Sequence, residues 1–270
     1  MTKIKESCVL ITGGASGIGY IMGRIVLERG ARKLVIWDIN EEKMAEAQAR
    51  LGGSDKVAAY KVDVSDNEAV TAAYAQTKQE CGDVDILINC AGIITSNKTF
   101  DRQTPGEIRR TMDINATAPM LLTLQVLPDM IARDHGHVCN IASEAGMISN
   151  PKMSVYVASK WAVIGWSDSV RIELKQAHSH VRITTVAPYF INTGMFGGVQ
   201  SRILPILKPE PTAAKIVRAI ERNTDFCGIP FSFHFIRLGQ ALLPTSWFDT
   251  IFGKWFGIYS AMDNFTGRKS

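Results

Sequence analysis

Tyr156 and Lys160 stand four residues apart in a segment whose pattern predicts a helix. Side chains at positions i and i+4 lie on the same helix face. A phenol has a pKa of about 10 in water, and a nearby ammonium group lowers that pKa by favouring the phenolate. A tyrosine in this setting can exchange a proton with an alcohol or carbonyl oxygen. The competing interpretation is a solvated helix face that carries no chemistry.

Ser143 is the second candidate for chemistry. It ends the apolar run GHVCNIAS, which predicts a strand over 136–143. Ligands of open α/β sheets bind at the carboxyl ends of the strands. The Ser143 hydroxyl is therefore expected to hydrogen-bond a substrate oxygen and hold it against Tyr156. A serine that merely caps the strand end is the alternative.

A glycine-rich segment, TGGASGIG at 12–19, follows the first apolar run. It reads TGxxxGxG and departs from the common GxGxxG spacing because Met22 occupies the third glycine position. Glycines permit a tight turn and let a pyrophosphate lie against a helix N-terminus, where free N–H groups and the helix dipole favour anions. A plain flexible turn is the alternative.

Asp38 makes a dinucleotide site the stronger interpretation. It ends the second apolar run, KLVIWD, and follows Gly19 by 19 residues. A carboxylate about 20 residues beyond such a loop accepts hydrogen bonds from an adenosine ribose and repels a 2′-phosphate. Ala15 and Ile39, which follow the first and second strands, are not basic. These features predict that the protein binds NAD in preference to NADP.

The composition sets the broad class. The chain has 270 residues, of which 46% are hydrophobic and 21% charged, as in an ordinary globular protein. The net charge of +4 is too small and scattered to predict nucleic-acid binding. The five cysteines form no CxxC pair, which indicates reduced thiols in a cytosol-like compartment. We expect no metal site, signal peptide or membrane-spanning helix, and no anchor before the first strand.

Short apolar runs alternate with longer amphipathic segments over the first two-thirds of the chain. This alternation predicts βαβ units, and runs that are apolar throughout indicate strands buried on both faces of a parallel sheet. We therefore predict an α/β fold: one Rossmann-type domain over 1–270, with a doubly wound parallel sheet flanked by helices. The expected strands are 8–12, 33–38, 56–64, 85–92, 136–143 and 181–188.

Four motifs in this order resemble the short-chain dehydrogenase/reductase family, over about residues 8–221. They are TGGASGIG, NCAG at 89–92, Asn115, and Ser143 with YVASK at 156–160. The resemblance implies a catalytic set of Asn115, Ser143, Tyr156 and Lys160, in which Asn115 holds a water that relays protons through Lys160. It also implies a homodimer or homotetramer, with the Tyr156 helix as a subunit contact.

The resemblance further implies the cofactor contacts. Asp63, in KVDV, matches the family position beside the adenine ring, and Thr193, in INTGMF, matches the threonine that binds the nicotinamide carboxamide. The residues expected to contact NAD are Gly13, Ser16, Gly17, Ile18, Gly19, Asp38, Ile39, Asp63, Val64, Asn89, Ala91, Gly92, Tyr156, Lys160, Pro188, Ile191 and Thr193.

Two positions depart from the family pattern. Cys90 replaces the usual asparagine in NCAG and is expected to make the site sensitive to thiol reagents. Tyr189 replaces the usual glycine after Pro188, so we expect it near the nicotinamide and the substrate. We expect Trp161 and Trp166, on the Tyr156 helix, to be packing residues.

The last third of the chain contains the sequence features that indicate the class of substrate. Residues 189–211 predict an irregular, apolar substrate loop, and 226–270 form an extension rich in aromatic and aliphatic residues. This region resembles the branch of epidermal-type retinol dehydrogenases and lipid-droplet 17β-hydroxysteroid dehydrogenases. The extension could pack on the core, cover a pocket, contact a membrane or lipid droplet, or form a dimer interface.

We therefore expect an NAD(H)-dependent oxidoreductase that interconverts a bulky lipophilic alcohol, of the hydroxysteroid or retinoid class, and its carbonyl. One alternative is a reductase of small ketones or 3-oxoacyl thioesters, for which only Arg202 and Lys208 offer a basic patch. Another is a cofactor-binding scaffold on lipid surfaces. The expected location is the cytoplasm, with attachment to a membrane or lipid droplet left open.

Overall fold

A parallel sheet of seven strands forms the centre of the molecule. The computed structural model describes residues 1–201, 205–255 and 257–267, apart from the side chains at 233, 234 and 236. The strand order is β3-β2-β1-β4-β5-β6-β7, and every pairing is parallel. The strands are β1 Cys8–Thr12, β2 Lys33–Asp38, β3 Val57–Lys61, β4 Ile86–Asn89, β5 His137–Ile141, β6 Arg182–Pro188 and β7 Phe226–Ile229.

Ten α-helices connect or follow the strands in the described part of the chain. They are α1 Gly17–Glu28, α2 Glu41–Arg50, α3 Gly53–Lys56, α4 Asn67–Cys81, α5 Pro105–Met112, α6 Ala118–Ala132, α7 Ser154–Gln176, α8 Pro209–Glu221, α9 Phe233–Leu242 and α10 Thr245–Phe248. Shorter 3-10 turns span Phe100–Arg102, Glu144–Gly146 and Ile258–Ser260, and π-helical turns span Asp113–Thr117 and Asp249–Trp255.

Helices cover both faces of the sheet. On one face, buried side chains of α1, α2 and α8, such as Met22, Met44 and Ile216, form a single core with the strands. On the other face, α4, α6 and α7 contribute to a second core, which includes Tyr74 and Leu122. This arrangement confirms the predicted doubly wound α/β fold. It also explains why β1 and β2 read as almost continuous apolar runs.

The structure adds elements that the sequence pattern did not indicate. β7 belongs to the predicted C-terminal extension but joins the sheet beside β6. Helix α5 is mostly polar, and it begins with a capping box between Thr104 and Glu107. Of the predicted substrate loop and extension, 202–204, 256 and 268–270 lie outside the described residues, and so does Arg202 of the basic patch. Among the helices described, none has the length and apolar character needed to cross a membrane.

His137 begins β5, the strand that leads to Ser143. Its ring is fully buried, and its two nitrogens lie 2.8 Å from the hydroxyls of Thr2 and Thr184. Burial, with a smaller effect of Arg182, lowers the pKa of His137 to about 3. The folded protein therefore holds a neutral imidazole in the core at every pH above that value.

We predict that His137 contributes to acid sensitivity. Between pH 6.5 and about 3 the unfolded chain binds a proton that folded His137 does not, so the free energy of unfolding falls as pH decreases. The slope from this group approaches about 1.4 kcal/mol per pH unit. Urea titrations of the wild type and of His137→Gln should therefore converge as pH is lowered from 7 to 4. For the exposed-loop variant His135→Gln, the difference from the wild type in the free energy of unfolding should stay constant over this pH range. A constant difference for His137→Gln as well would contradict the prediction.

Candidate active site

The loop after β1 is held against the loop after β4 by close backbone contacts. Gly13 has φ of +66°, and a Cβ there would lie 3.1 Å from the Cα of Ala91. A Cβ on Gly19 would lie 2.3 Å from the carbonyl oxygen of Gly13. The Thr12 hydroxyl accepts hydrogen bonds from the backbone N–H groups of Cys90 and Ala91, at 3.0 and 3.1 Å. Glycine at 13 and 19 is thus required for the loop to close.

Helix α1 begins where this loop ends. Gly17 has φ of +56°, and a Cβ there would meet only the Thr193 side chain, at 3.6 Å. Ser16 precedes the helix in an extended conformation. Free N–H groups at a helix N-terminus favour a phosphate, so the first turn of α1 is a candidate site for the pyrophosphate.

Asp38 ends β2 beside the glycine loop. Its carboxylate accepts hydrogen bonds from the backbone N–H of Ala15 at 3.2 Å and of Asn40 at 3.1 Å. These two bonds fix the carboxylate at the carboxyl end of the sheet. The neighbouring Ile39 is 60% exposed, which leaves an apolar surface next to the carboxylate.

The structure places the predicted adenine contacts at the outer edge of the sheet. Asp63 lies just beyond β3, is exposed, and accepts hydrogen bonds from the backbone and hydroxyl of Ser65. Those bonds hold the pKa of Asp63 below its ordinary value. Val64 is buried in the core below. Only Asp63 of the two therefore presents its side chain to solvent.

Asn89, predicted to contact NAD, directs its side chain into the core. Its side-chain NH₂ donates to Asn140 at 2.8 Å and to the hydroxyl of Thr123 at 3.2 Å, inside the core. Asn140 in turn donates to Ser167 on α7. The Asn89 side chain therefore ties β4 to β5 and α6, and it does not line the cavity described below.

Asn115 lies in the π-helical turn between α5 and α6. Its side-chain oxygen accepts from the backbone N–H of Ile93 at 2.8 Å, and its NH₂ donates to the Ile93 carbonyl and to Ser159. Pro119 has no N–H, so the Asn115 carbonyl lacks the donor four residues on that a regular helix supplies. Turns of this π type occur often at functional sites.

Ser143, Tyr156 and Lys160 come together at the carboxyl end of β5. The Ser143 hydroxyl caps a 3-10 turn by accepting from the N–H of Ala145. It also hydrogen-bonds the phenol of Tyr156. Lys160 donates to the carbonyl of Ile141 at 2.9 Å, and its ammonium lies 5.7 Å from the centre of the Tyr156 ring. Helix α7 thus presents both side chains on one face, as the spacing predicts.

Burial dominates the electrostatics of this pair. It raises the pKa of Tyr156 to about 12, which the hydrogen bond with Ser143 only partly opposes. It lowers the pKa of Lys160 to about 8. The sequence-based expectation of a depressed tyrosine pKa therefore does not hold for this ligand-free structure. The ammonium is bonded to Ile141 and does not touch the phenol oxygen, so desolvation outweighs its attraction.

The two departures from the family pattern also lie here. Burial raises the pKa of the Cys90 thiol to about 12, with a smaller opposing effect of Lys160. A neutral thiol is a poor nucleophile, so the predicted thiol sensitivity has no support in this geometry. Tyr189 lines the cavity, and its hydroxyl donates to Ser201 at 3.0 Å.

One cavity of about 240 Å³ joins the predicted catalytic side chains to the predicted nicotinamide contacts. Besides Ser143, Tyr156 and Lys160, its wall includes the following residues from the cofactor set: Ile18, Gly92, Pro188, Ile191 and Thr193. Residues expected at the adenosine end, such as Asp38 and Asp63, lie outside it. The residues present fit a dinucleotide that runs from Asp38 past the α1 N-terminus to Lys160.

Most of the remaining wall is apolar. Phe190 and Phe196 pack edge-to-face with ring centres 5.0 Å apart, and Phe196 packs against Tyr156 in the same way at 6.0 Å. Phe252 and Ile258, from the C-terminal extension, complete the wall. The extension therefore packs on the core and covers the cavity, which were two of the four roles considered for it.

Sequence reasoning missed several polar residues in the wall, and Glu144 and Asn150 are among them. Glu144 follows Ser143 directly and is 2% exposed. Its carboxylate oxygens, and the side-chain oxygen of Asn150, have no hydrogen-bond partner among the described residues. A glutamate in a polar-looking turn gives no signal of burial in a single sequence.

The sequence matches known proteins along most of its length. Residues 7–203 match the family model for short chain dehydrogenase. Epidermal retinol dehydrogenase 2 of Homo sapiens is 38% identical over 274 aligned residues, covering 99% of this chain and 87% of that protein. Estradiol 17-beta-dehydrogenase 11 of Homo sapiens is 33% identical, covering 90% of this chain and 81% of that protein.

Solved structures show the same fold. A short-chain dehydrogenase/reductase from Burkholderia phymatum in complex with NAD superposes with a TM-score of 0.81, at 22% identity, over 89% of this chain and 95% of that chain. Levodione reductase superposes with a TM-score of 0.76, at 25% identity, over 84% of this chain and 97% of that one. Together with the sequence matches, they confirm the predicted family: this chain belongs to the short-chain dehydrogenases, oxidoreductases that act on CH–OH groups.

Proposed function

We propose that the protein is an NAD-dependent dehydrogenase that interconverts a bulky lipophilic alcohol and its carbonyl. The observation that carries the proposal is the single cavity in which Ser143 and Tyr156 meet a wall of aromatic and aliphatic side chains. An alcohol that fills this space brings its oxygen to the two hydroxyls while its hydrocarbon body contacts apolar surface.

NAD, when bound, supplies the hydride acceptor for oxidation of the alcohol carbon. The fixed Asp38 carboxylate supports NAD over NADP, because a 2′-phosphate would meet its negative charge. The N-terminus of α1 faces the predicted pyrophosphate, and Thr193 and Ile191 line the nicotinamide side of the cavity. A related structure was solved with NAD, which agrees with this assignment.

Tyr156 is the acid/base residue of the proposal. As the alcohol carbon loses hydride, its hydroxyl proton passes to the Tyr156 oxygen; in reduction the proton returns. The Ser143 hydroxyl holds the substrate oxygen beside the phenol. Because burial raises the pKa of Tyr156, positive charge beside the phenol is needed to favour the phenolate. A cationic nicotinamide would supply such charge.

Asn115 completes the proton path. Its side chain is committed to Ile93 and Ser159, so the group proposed to hold a relay water is its backbone carbonyl. A Cβ on Gly92 would lie 3.4 Å from the Asn115 side-chain oxygen and 3.7 Å from the Lys160 ammonium. The absence of a side chain at Gly92 thus keeps space open between Asn115 and Lys160.

The substrate class is assigned from the wall and from the relatives. Two relatives carry the names retinol dehydrogenase and estradiol dehydrogenase, which are lipophilic-alcohol activities. Phe190, Phe196 and Phe252 supply rigid apolar surface for a substrate of that size. A small ketone would leave much of this surface without contact, which disfavours the alternative of a small-ketone reductase.

The extension has a second proposed role at a lipid surface. Its exposed large apolar side chains include Phe231, Phe235, Leu242, Trp247 and Trp255, each more than 60% exposed. Aromatic and leucine side chains beside basic residues favour the interface of a bilayer or droplet. We propose a cytoplasmic protein whose extension rests on such a surface while its inner face closes the cavity. A pure scaffold is disfavoured, because binding alone does not need Ser143, Tyr156 and Lys160.

A homo-oligomer is part of the same proposal. Trp161, expected to be a packing residue, is 45% exposed on α7, and Ile172 on the same helix is 41% exposed. On α6, Leu124 and Ile131 are also exposed. Exposed apolar side chains on two adjacent helices suit a contact with a second copy of the chain. The dimer or tetramer expected from the family would cover them.

Replacing Tyr156 with Phe should reduce kcat for lipophilic alcohols by about 10²–10⁴-fold, because the proton acceptor is lost. The variant should still bind NAD, as measured by the quenching of tryptophan fluorescence. Tyr60→Phe is the matched control, since it removes a phenol hydroxyl on edge strand β3 and should leave turnover intact. Retained turnover in Tyr156→Phe would end the catalytic assignment.

Replacing Asp38 with Asn should lower the preference for NAD over NADP. The wild type should have a higher kcat/KM with NAD than with NADP. In the variant the ratio of these two values should be about tenfold lower, because the repulsion of a 2′-phosphate disappears. Asp63→Asn is the control: it should change KM for both cofactors alike and leave their ratio unchanged. An Asp38→Asn enzyme with the wild-type ratio would contradict the role of this carboxylate.

Replacing Leu242, Trp247 and Trp255 together with Ser should abolish flotation with phosphatidylcholine vesicles. Burial of apolar surface in lipid contributes about 25 cal/mol per Å² to the free energy of binding, and the substitutions remove this contribution. The control is Phe100→Ser, which removes an exposed apolar side chain outside the extension. Wild-type protein that stays in the soluble fraction would refute the lipid-surface role and leave the enzyme assignment untouched.

A further inference from the structure

Segment 261–267 of the C-terminal extension lies against the predicted substrate loop, and none of its residues belongs to the cavity wall that the described residues form. Backbone hydrogen bonds join the segment to the loop. The N–H of Gln200 donates to the carbonyl of Ala261 at 3.2 Å, and the N–H of Thr266 donates to the carbonyl of Gly197 at 2.8 Å. The main chain of the segment therefore holds the main chain of the loop.

Glycine at two positions lets the segment and the loop come this close. Gly198 has φ of +81°, and a Cβ there would overlap the carbonyl oxygen of Asn264. A Cβ on Gly197 would lie 2.6 Å from the carbonyl oxygen of Gly267. Because a side chain does not fit in so small a space, any residue other than glycine here would push the segment away from the loop.

Side chains fasten the same segment to other parts of the site. Asn97, in the loop after β4, donates its NH₂ to the carbonyl of Met262 at 2.9 Å. Lys152, just before α7, pairs with Asp263 at 2.8 Å between Nζ and Oδ1. Segment 261–267 thus joins the loop after β4, the start of α7 and the substrate loop, and each of these contributes residues to the cavity wall.

Met262 connects the segment to Tyr156 through apolar contacts. It is 1% exposed and belongs to one apolar cluster with Tyr156, Phe190 and Phe196. Phe190 and Phe196 are the loop residues that line the cavity, and Phe196 packs edge-to-face on Tyr156. The segment therefore supports the apolar wall from the side that faces away from the substrate.

We propose that segment 261–267 positions the substrate loop, so that the apolar wall stays closed around a bulky alcohol. This inference rests on the proposed function and adds positioning residues that do not touch the substrate, chiefly Gly198 and Asp263. Loosening the segment should weaken binding of the hydrocarbon body and spare proton transfer, because Lys160 is bonded to Ile141 of β5 and not to the loop. KM should therefore rise more than kcat falls.

Replacing Gly198 with Ala tests the close contact with Asn264. KM for retinol or a hydroxysteroid should rise about tenfold, with kcat changed by less than about twofold, because the new side chain forces the segment and the loop apart. Gly194→Ala is the matched control. Gly194 lies in the same loop with φ of +88°, but a Cβ there would meet nothing within 4 Å. It should raise KM clearly less; an equal rise would assign the effect to strain within the loop and overturn the inference.

The Lys152–Asp263 pair gives a test that leaves the glycines intact. Lys152→Asp and Asp263→Lys each bring like charges together, and each should raise KM about two- to fivefold. The double variant restores opposite charges and should return KM to near the wild-type value. Lys78→Asp is the control and should leave KM unchanged, because Lys78 pairs with Asp129 at 2.7 Å between α4 and α6, outside the cavity wall. A double variant that does not recover would contradict the inference.

Hydrogen exchange reports the position of the loop without turnover. The N–H of Leu207 donates to the carbonyl of Phe190 at 2.8 Å, and the N–H of Asn192 donates to that of Leu207 at 3.0 Å. Neither bond involves segment 261–267. In Gly198→Ala both amides should exchange about tenfold faster, while Ile88 in β4 exchanges as in the wild type. Unchanged exchange at both amides would overturn the inference. The same measurement on Asp263→Lys decides the question if Gly198→Ala does not fold.

Failure of this inference differs from failure of the proposed function. If the wild type binds NAD but turns over no lipophilic alcohol, the proposed function falls, and exchange at Asn192 and Leu207 still decides whether the segment holds the loop. If the wild type is active and KM is unchanged in both Gly198→Ala and Asp263→Lys, only the role of segment 261–267 falls.

Discussion

The close approach of the loops after β1 and β4 is the constraint on which the site depends. The order in which the chain adds strands reverses at this point, because β1 has β2 on one side and β4 on the other. Only glycine fits at 13, where a side chain would strike the backbone of Ala91, and the Thr12 hydroxyl fastens the two loops. Beyond this junction, Ile93 meets Asn115, and through Ser159 the contact reaches α7, which carries Tyr156. The glycine loop and Tyr156 are therefore parts of one connected framework.

Burial is the common cause of the pKa shifts in the site. It raises the pKa of Tyr156 and Glu144 and lowers that of Lys160, so each group shifts toward its neutral form. The apolar wall that suits a lipophilic substrate is the source of this desolvation. Ligands that bring charge and hydrogen-bond partners into such a site would shift these groups back toward their charged forms. The low acidity of ligand-free Tyr156 is thus compatible with an acid/base role.

Much of the fold was accessible from the sequence because buried parallel strands leave continuous apolar runs. β7 was not, because it is short, contains glycine and is followed by proline; α5 was not, because its residues are mostly polar. At the site, spacing alone placed Tyr156 and Lys160 on one helix face. Spacing could not reveal that Asn89 points into the core or that Glu144 is buried without a partner, since both facts arise from packing between distant segments.

The C-terminal extension places its apolar side chains in two locations, the cavity wall and the outer surface. Phe252 stacks on Phe248 and lines the cavity, whereas Trp247 and Trp255, on either side in sequence, are largely exposed. An apolar sequence covering only a pocket would not need exposed tryptophans, and one contacting only lipid would not need buried phenylalanines. The buried phenylalanines and the exposed tryptophans therefore lie on the same stretch of backbone, which forms both the cavity wall and the outer surface. A substrate dissolved in lipid would meet the exposed side chains first, and any displacement of the segment there would move Phe252 at the cavity.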